Sequence, residues 1–182
     1  LGSDSLKMVL EGGWPIHQMR DGSVWYLQMN HRADRATRNR SLRKALQLSI
    51  DKNEFVYRVL KTPGIIPADS IFPVWLRGVE GSFRQEYPAR GVIADYAEAR
   101  RYVELAKAEL GMQTIPPITL LFDDTGSAFK QAQYFQAAFR EQLGIDVTLT
   151  PMLFNQQWDR AKGDAAGRQD MFLLLYWPTY SD

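Results

Sequence analysis

Two adjacent acids in the stretch LLFDDTGS are the residues best suited to metal chemistry. Asp123 and Asp124 follow a run of apolar residues and precede Thr125 and Ser127. Paired carboxylates are ligands that Mg²⁺ prefers, so one hypothesis is a Mg-dependent phosphotransfer enzyme domain. The alternative is a helix start, in which Thr125 or Ser127 caps the helix and the acids complement its positive end. The adjacency favours the helix start, because a phosphatase-type motif separates its two aspartates by one residue.

A second stretch, HRADRATRNRSLRK, concentrates positive charge. Its six cationic side chains are Arg32, Arg35, Arg38, Arg40, Arg43 and Lys44. Such a cluster is able to bind phosphates of nucleic acid. However, no aromatic residues alternate with the cations and the net charge of the chain is only +1. The pattern therefore favours a solvated loop followed by the start of a helix.

Other residues with catalytic or metal-binding potential are scarce. The sequence has no cysteine, which excludes disulfides and thiolate sites, and its two histidines are His17 and His31. Neither histidine has a carboxylate at metal-ligand spacing, and the chain contains no nucleophile-elbow, phosphate-loop or dinucleotide-binding motif. These residues therefore give no specific signal of an enzyme.

The end of the sequence, YWPTYSD, has the composition of a binding surface. Trp177 and Tyr180 lie on either side of Pro178 and Thr179, and Asp182 follows two residues later. Exposed aromatic rings beside an acid form a platform that stacks on a ligand and attracts a cationic group. In the alternative interpretation Trp177 closes the core and the remaining residues form a turn. Sequence chemistry alone leaves both open.

The first elements that would position these residues are a strand and two helices. Residues 24–30 alternate, with Val24, Tyr26, Gln28 and Asn30 on one face of a strand. A helical pattern begins near Asn39, and Asp51 with Glu54 has the spacing of a capping box for a helix over 52–60. Residues 1–22 are rich in Gly and Pro and predict loop and turn.

The second half predicts alternating helices and strands. DYAEARRYVELAKAELG is an amphipathic helix capped by Asp95 and ended by Gly111. The stretches PITLLF, IDVTLTPML and MFLLLYW then predict strands, separated by a helix over SAFKQAQYFQAAFREQLG and a short helix capped by Asn155. This order is typical of an α/β fold with a mixed, largely parallel sheet flanked by helices. Ligands bind such sheets beyond the carboxyl ends of the strands, where Trp177 to Asp182 are expected.

Several of these segments, taken in order, resemble a known family. They are VWYLQMN, LRKALQLSIDKNEFVYRVL, GIIPADSIFP, DYAEARRYVELAKAELG, FQAAFREQLGIDVTL and DMFLLLYWPTYSD. The set is similar to the bacterial extracellular solute-binding proteins of family 5, the oligopeptide- and dipeptide-binding receptors of ABC importers. The resemblance covers roughly residues 23–182 and implies a periplasmic-binding-protein type 2-like lobe.

The resemblance also implies a function and partners. The protein would be the substrate-binding component of an ABC transporter, capturing an oligopeptide or similar small solute in a cleft between two lobes. Its partners would be the ligand, the importer permease and the first lobe of the same receptor, with no nucleic acid. It would not be an enzyme and would use no cofactor. It would be periplasmic, or lipid-anchored at the outer face of the cytoplasmic membrane. The whole of 1–182 would form a single lobe fragment, with 1–22 leading from the hinge and 23–182 forming a body that stops at the ligand-cleft turn.

The family's ligand contacts map onto two places in this sequence. The residues concerned are Tyr26, Gln28 and Asn30 on the first strand, and Trp177, Thr179, Tyr180 and Asp182 on the final turn. Thr179 stands where peptide-binding members often place an aspartate that pairs with the α-amine of the ligand. A threonine hydroxyl donates and accepts hydrogen bonds but does not neutralise an ammonium group.

Overall fold

The strands form one sheet with three parallel members and one antiparallel edge strand. β1 (Val24–Met29), β2 (Ile118–Asp123), β3 (Val147–Met152) and β4 (Met171–Tyr176) lie in the order β1-β4-β2-β3. β2 pairs in parallel with both β3 and β4, whereas β1 runs antiparallel to β4. The computed structural model describes residues 3–17, 19, 21–162 and 169–176. The predicted α/β fold with a mixed, largely parallel sheet is confirmed.

α-Helices account for nearly half of the remaining described chain. They are α1 (Ser3–Glu11), α2 (Arg40–Leu48), α3 (Lys52–Glu54), α4 (Phe83–Glu86), α5 (Tyr96–Leu110), α6 (Gly126–Leu143) and α7 (Phe154–Lys162). α3 continues directly into a π-helical segment, Phe55–Leu60, and a 3₁₀ turn covers Ala36–Arg38. No helix in these described parts of the chain is long and apolar enough to cross a membrane.

The helix caps follow the sequence pattern closely. The Asp51 side chain accepts hydrogen bonds from the backbone amides of Asn53 and Glu54, and that of Asp95 accepts one from Glu98. Each bond satisfies an amide that has no partner inside the helix, so these caps fix where the helices begin. The predicted cap at Asn155 is wrong, because α7 already begins at Phe154.

The first segment differs from its prediction, since residues 3–11 form a helix instead of loop and turn. In α1, Leu6 is buried, and Val9 and Leu10 come after it at the spacing of one helical face. Gly13 then adopts a positive φ of 69° and the chain leaves the helix. The glycines and Pro15 that suggested a loop therefore lie beyond the end of the helix.

The main core lies on one face of the sheet, beneath α2, α5 and α6. Ile118, Leu120 and Phe122 of β2 are at most 1% exposed and share one apolar cluster with Met171 and Leu173 of β4. The alternate residues of the same strands point to the other face, where Leu121, Phe172 and Leu174 form a second, smaller cluster. Both central strands are thus buried on two faces, which explains their nearly continuous apolar sequence.

Candidate ligand-binding edge of the sheet

The three parallel strands end at one edge of the sheet, here called the carboxyl edge. Asp123 of β2, Met152 of β3 and Tyr176 of β4 mark it. β1 begins at the same edge, because Val24 pairs with Tyr176 in the antiparallel ladder. Ligands of open α/β sheets bind outside this edge, where the loops after parallel strands meet. The carboxyl edge is therefore the candidate binding surface.

Four predicted ligand-binding residues come directly after this edge in the chain. Trp177, Thr179, Tyr180 and Asp182 come after Tyr176, the last residue of β4, and lie outside the described residues. β4 thus leads the chain to the edge at which the ligand contacts were predicted. The contacts themselves stay a prediction.

Tyr26 lies near the middle of β1 and belongs to the second face of the sheet. It pairs with Leu174 across the ladder and packs against the cluster of Leu121, Phe172 and Leu174. Partial burial raises the pKa of its phenol above the ordinary value, because the charged form is disfavoured away from water. The phenol therefore stays protonated and able to donate a hydrogen bond.

Gln28 and Trp25 also offer exposed groups along β1. Gln28 pairs with Phe172, farther from the carboxyl edge than Tyr26, and its side chain is exposed. Trp25 lies next to Val24 at the start of the strand and is 39% exposed. Alternation along β1 places Trp25 on the face opposite Tyr26 and Gln28. Its place at the end of the ladder leaves the ring partly uncovered, which adds a candidate aromatic contact at the carboxyl edge.

Asn30 lies at the opposite end of the sheet, the amino edge, where β4 begins. Its backbone amide donates to the Asp170 carbonyl (2.8 Å) and its side-chain amide donates to the Gln169 carbonyl (2.8 Å). The side-chain oxygen accepts from the Arg32 amide (3.0 Å). Asn30 comes six residue steps after Val24, and extended chain spans about 20 Å over six steps. Asn30 and Tyr176, the last residue of β4, therefore lie at opposite edges of the sheet, although Asn30 and the residues that follow Tyr176 were both predicted to contact ligand.

Asp170 completes a polar junction at the amino edge, defined by Asn30, Thr37, Thr119, Gln169 and Asp170. One Asp170 carboxylate oxygen accepts from both the amide and the hydroxyl of Thr119, each at 2.9 Å. The Thr119 hydroxyl accepts in turn from the Asp170 amide (2.8 Å), and Thr37 donates to the Asn30 carbonyl (2.8 Å). Asn30, Thr37, Gln169 and Asp170 are at most 8% exposed. A buried network of this kind fixes local geometry strongly.

Sequence patterns missed Gln157, a fully buried polar residue of α7. It is 1% exposed, and its side-chain amide donates to the Leu173 carbonyl of β4 at 2.8 Å. The same nitrogen lies 3.5 Å from the Leu121 carbonyl of β2. The neighbouring Gln156 is exposed. Because the two glutamines are adjacent and chemically identical, no signal in the sequence distinguishes the buried one.

Asp123 and Asp124 behave as the helix-start interpretation predicted. The Thr125 hydroxyl accepts from the Ala128 amide and caps α6, while the Asp124 amide donates to the Met152 carbonyl (2.9 Å). Within residues 3–17, 19, 21–162 and 169–176, no three acidic or histidine side chains form a group able to hold a metal ion. The two acids add negative charge to the carboxyl edge.

A surface pocket of about 460 Å³ lies elsewhere, beside the π-helical segment. Its lining consists of Asp51, Asn53, Glu54, Tyr57, Arg58 and Tyr96. The Tyr134 phenol donates to the Asp51 carbonyl at 3.0 Å and lies 3.4 Å from a carboxylate oxygen of Glu54. Burial, with Glu54 nearby, raises the pKa of Tyr134 far above its ordinary value. These contacts connect α3 to α6 beneath the pocket.

Comparison with known proteins gives matches along nearly the whole chain. Residues 4–182 match the family described as bacterial extracellular solute-binding proteins, family 5 Middle. The oligopeptide-binding protein OppA of Bacillus subtilis is 26% identical over 162 residues. That alignment covers 87% of this chain but 28% of the relative, so the chain spans less than a third of this curated relative.

Solved structures show the same fold at similar identity. The substrate-binding domain of an oligopeptide ABC transporter from Bacillus anthracis is 28% identical with a TM-score of 0.75, covering 89% of this chain and 31% of that one. Listeria monocytogenes OppA bound to peptide is 25% identical, also with a TM-score of 0.75, covering 89% and 32%. The family's description as extracellular places its members outside the cytoplasm. The chain belongs to the bacterial extracellular solute-binding proteins of family 5.

Proposed function

We propose that this chain forms the ligand-binding part of one lobe in the substrate receptor of an ABC importer. The carboxyl edge of the sheet would form one wall of a cleft and the first lobe of the receptor the other. The observation that carries the proposal is the course of β4, which ends at this edge at Tyr176, directly before the part of the sequence that holds a tryptophan, a tyrosine and an acid. Family membership and the peptide named for the Listeria relative support a peptide or similar small solute as ligand.

Binding would centre on the turn after β4. Trp177 and Tyr180 would stack on the ligand, while Thr179 and Asp182 would form hydrogen bonds to it. Trp25 and Tyr26 would extend this surface across the start of β1, and Gln28 would lie at its margin. Asn30 would act from the amino edge by holding the start of β4, since its hydrogen bonds are made to the backbone there.

The receptor would bind peptides of varied sequence through hydrogen bonds to the peptide backbone and through bridging water. Thr179 offers no negative charge to an α-amine, so the free amino terminus of a peptide would not be the dominant anchor at that position. Asp123 and Asp124 make the described part of the carboxyl edge acidic. A cationic group on the ligand would therefore still find a favourable potential there.

The remaining partners belong to the same proposal. Lobe closure on the ligand would present the surface that docks on the importer permease, in the periplasm or at the outer face of the cytoplasmic membrane. Ile71, Phe72 and Val74 are each more than 40% exposed in the loop between Leu60 and Tyr96. Apolar side chains exposed together in this way are typical of contact surfaces, and we assign them to contact with the rest of the receptor.

Native mass spectrometry of the protein produced from its complete gene tests the function. The protein is purified without denaturation, and its mass is recorded before and after a synthetic pool of tri- to pentapeptides is added. We expect a bound mass that disappears on unfolding and fragments into amino-acid residues. Failure of every peptide in the pool to bind the folded, ligand-free protein would contradict the peptide-receptor proposal.

A further inference from the structure

We infer that Gln157 is a positioning residue that holds the tip of β4 in place for ligand binding. The inference rests on the proposed function, because the tip matters only if the turn after it contacts ligand. Gln157 lies on α7, outside the sheet, and donates from its side chain to the Leu173 carbonyl of β4. At the Leu173 carbonyl, the Gln157 side chain thus takes the place of a neighbouring strand as the hydrogen-bond donor.

The pairing of the two central strands shows why this replacement is needed. β2 and β4 pair only at Leu120 with Met171 and at Leu121 with Phe172. β4 then continues for four more residues, which pair with β1 as far as Val24 and Tyr176. Toward the carboxyl edge, β4 therefore has a strand neighbour on one side and no ladder with β2 on the other.

Gln157 occupies the point at which this ladder ends. Its amide nitrogen is 2.8 Å from the Leu173 carbonyl, the first residue of β4 past the ladder. The same nitrogen is 3.5 Å from the carbonyl of Leu121, the last residue of β2 that pairs with β4. The two amide hydrogens suit two carbonyl acceptors, of which the nearer forms the stronger bond.

Burial makes this contact both specific and hard to replace. Gln157 is 1% exposed and Leu173 is 2% exposed, so water does not readily supply the missing hydrogen bond. An unsatisfied carbonyl at this point favours a shift of β4 toward another donor. Because Trp177 follows Leu173 by four residues in the sequence, a small shift at Leu173 would displace the proposed ligand contacts. Displacements of about 1 Å are enough to weaken a positioned site strongly.

The variant Gln157→Met tests this role, because methionine keeps the length of the side chain and removes both donors. Gln156→Met is the matched control, since Gln156 is the exposed glutamine beside it on α7. We expect the Q157M dissociation constant for a peptide that binds the wild type to rise about tenfold, the equivalent of one buried hydrogen bond. Backbone amide exchange should rise within residues 173–176 and remain near wild type in α5. Q156M should change neither quantity.

Each outcome distinguishes the inference from the proposed function. If the wild-type protein binds no peptide, the proposed function is contradicted. If Q157M and wild type have equal peptide affinity and equal amide exchange, only the positioning role is overturned. Uniformly faster exchange with unchanged affinity assigns Gln157 to general stability and also overturns it. If Q157M does not fold, side-chain amide exchange in the wild type decides. Protection of Gln157 relative to Gln156 supports the contact, and equal rates contradict it.

Discussion

The two edges of the sheet are built in opposite ways. At the amino edge, Asn30, Thr119 and Asp170 bind one another and the backbone through short hydrogen bonds in a buried network. At the carboxyl edge, the ladder between β2 and β4 stops early and the chain ends its strand half-buried at Tyr176. At the amino edge most polar groups are bonded within the protein, the exception being the buried side-chain oxygen of Gln169, which has no partner among the described residues. The carboxyl edge leaves strand ends and the ring of Trp25 exposed.

We therefore expect the amino edge to contribute to stability and the carboxyl edge to the proposed ligand binding. Asn30, Thr119 and Asp170 have little to gain from a ligand, because each new hydrogen bond to them would replace an existing one. A ligand would make more new contacts at the carboxyl edge, which has exposed strand ends, partly exposed Trp25 and the acids at the end of β2. Substitutions at the amino edge should therefore change the free energy of unfolding, and those at the carboxyl edge should change ligand affinity.

The largest effect is expected from Asp170→Ala. The change removes the acceptor of both Thr119 hydrogen bonds from a site that is 7% exposed, so the free energy of unfolding should fall by about 2–4 kcal/mol. Asp124→Ala removes the same charge from an exposed site and should change it by less than about 0.5 kcal/mol. Urea denaturation measures both. Equal losses in the two variants would remove the distinction between the edges.

Asn30→Ala should have a smaller effect of the same kind. It removes the donor to the Gln169 carbonyl and should lower the free energy of unfolding by about 1–2 kcal/mol. Peptide affinity, measured by calorimetry under conditions in which the variant is fully folded, should stay within about twofold of wild type. A tenfold loss of affinity in folded protein would instead place Asn30 among the ligand contacts.

Trp177→Ala should produce the reverse pattern. Loss of a stacking ring should weaken peptide binding by at least about 1 kcal/mol, with little change in the urea midpoint. Trp14→Ala is the matched control, because Trp14 is 71% exposed in the segment after α1 and is remote in sequence from the edge. Unchanged affinity in the Trp177 variant would remove this ring from the site.

The smallest effect should come from Mg²⁺. Thr125 caps α6 beside Asp123 and Asp124, and the acids need no metal in that arrangement. We expect Mg²⁺ to leave the thermal midpoint unchanged in both the wild type and Asp123→Asn. A midpoint that rises with Mg²⁺ in the wild type alone would favour the phosphotransfer hypothesis over a receptor.

Local patterns predicted the features that depend on neighbours in the chain. The alternation of the strands, the caps at Asp51 and Asp95, and the helix start at Thr125 all rest on interactions over a few residues. The short helix α1 was not predicted, because its apolar pattern of Leu6, Val9 and Leu10 is brief and comes just before a Gly- and Pro-rich stretch.

Features that depend on distant pairing were not predictable from one strand. Alternation placed Asn30 with Tyr26 and Gln28, but β1 ends at Met29 and Asn30 binds residues 169 and 170 instead. Gln157 is buried only because α7 lies where the ladder between β2 and β4 ends. Register and strand order determine both positions, and neither is encoded in a local period.

Hydrogen–deuterium exchange with and without peptide tests the division between the edges most directly. The protein is produced from its complete gene, and a peptide identified by mass spectrometry is added at saturating concentration. We predict new protection in residues 21–26 and 174–182, with exchange at residues 28–37 and 169–171 unchanged. Protection confined to the amino edge, or absent from residues 174–182 while peptide is bound, would contradict this division.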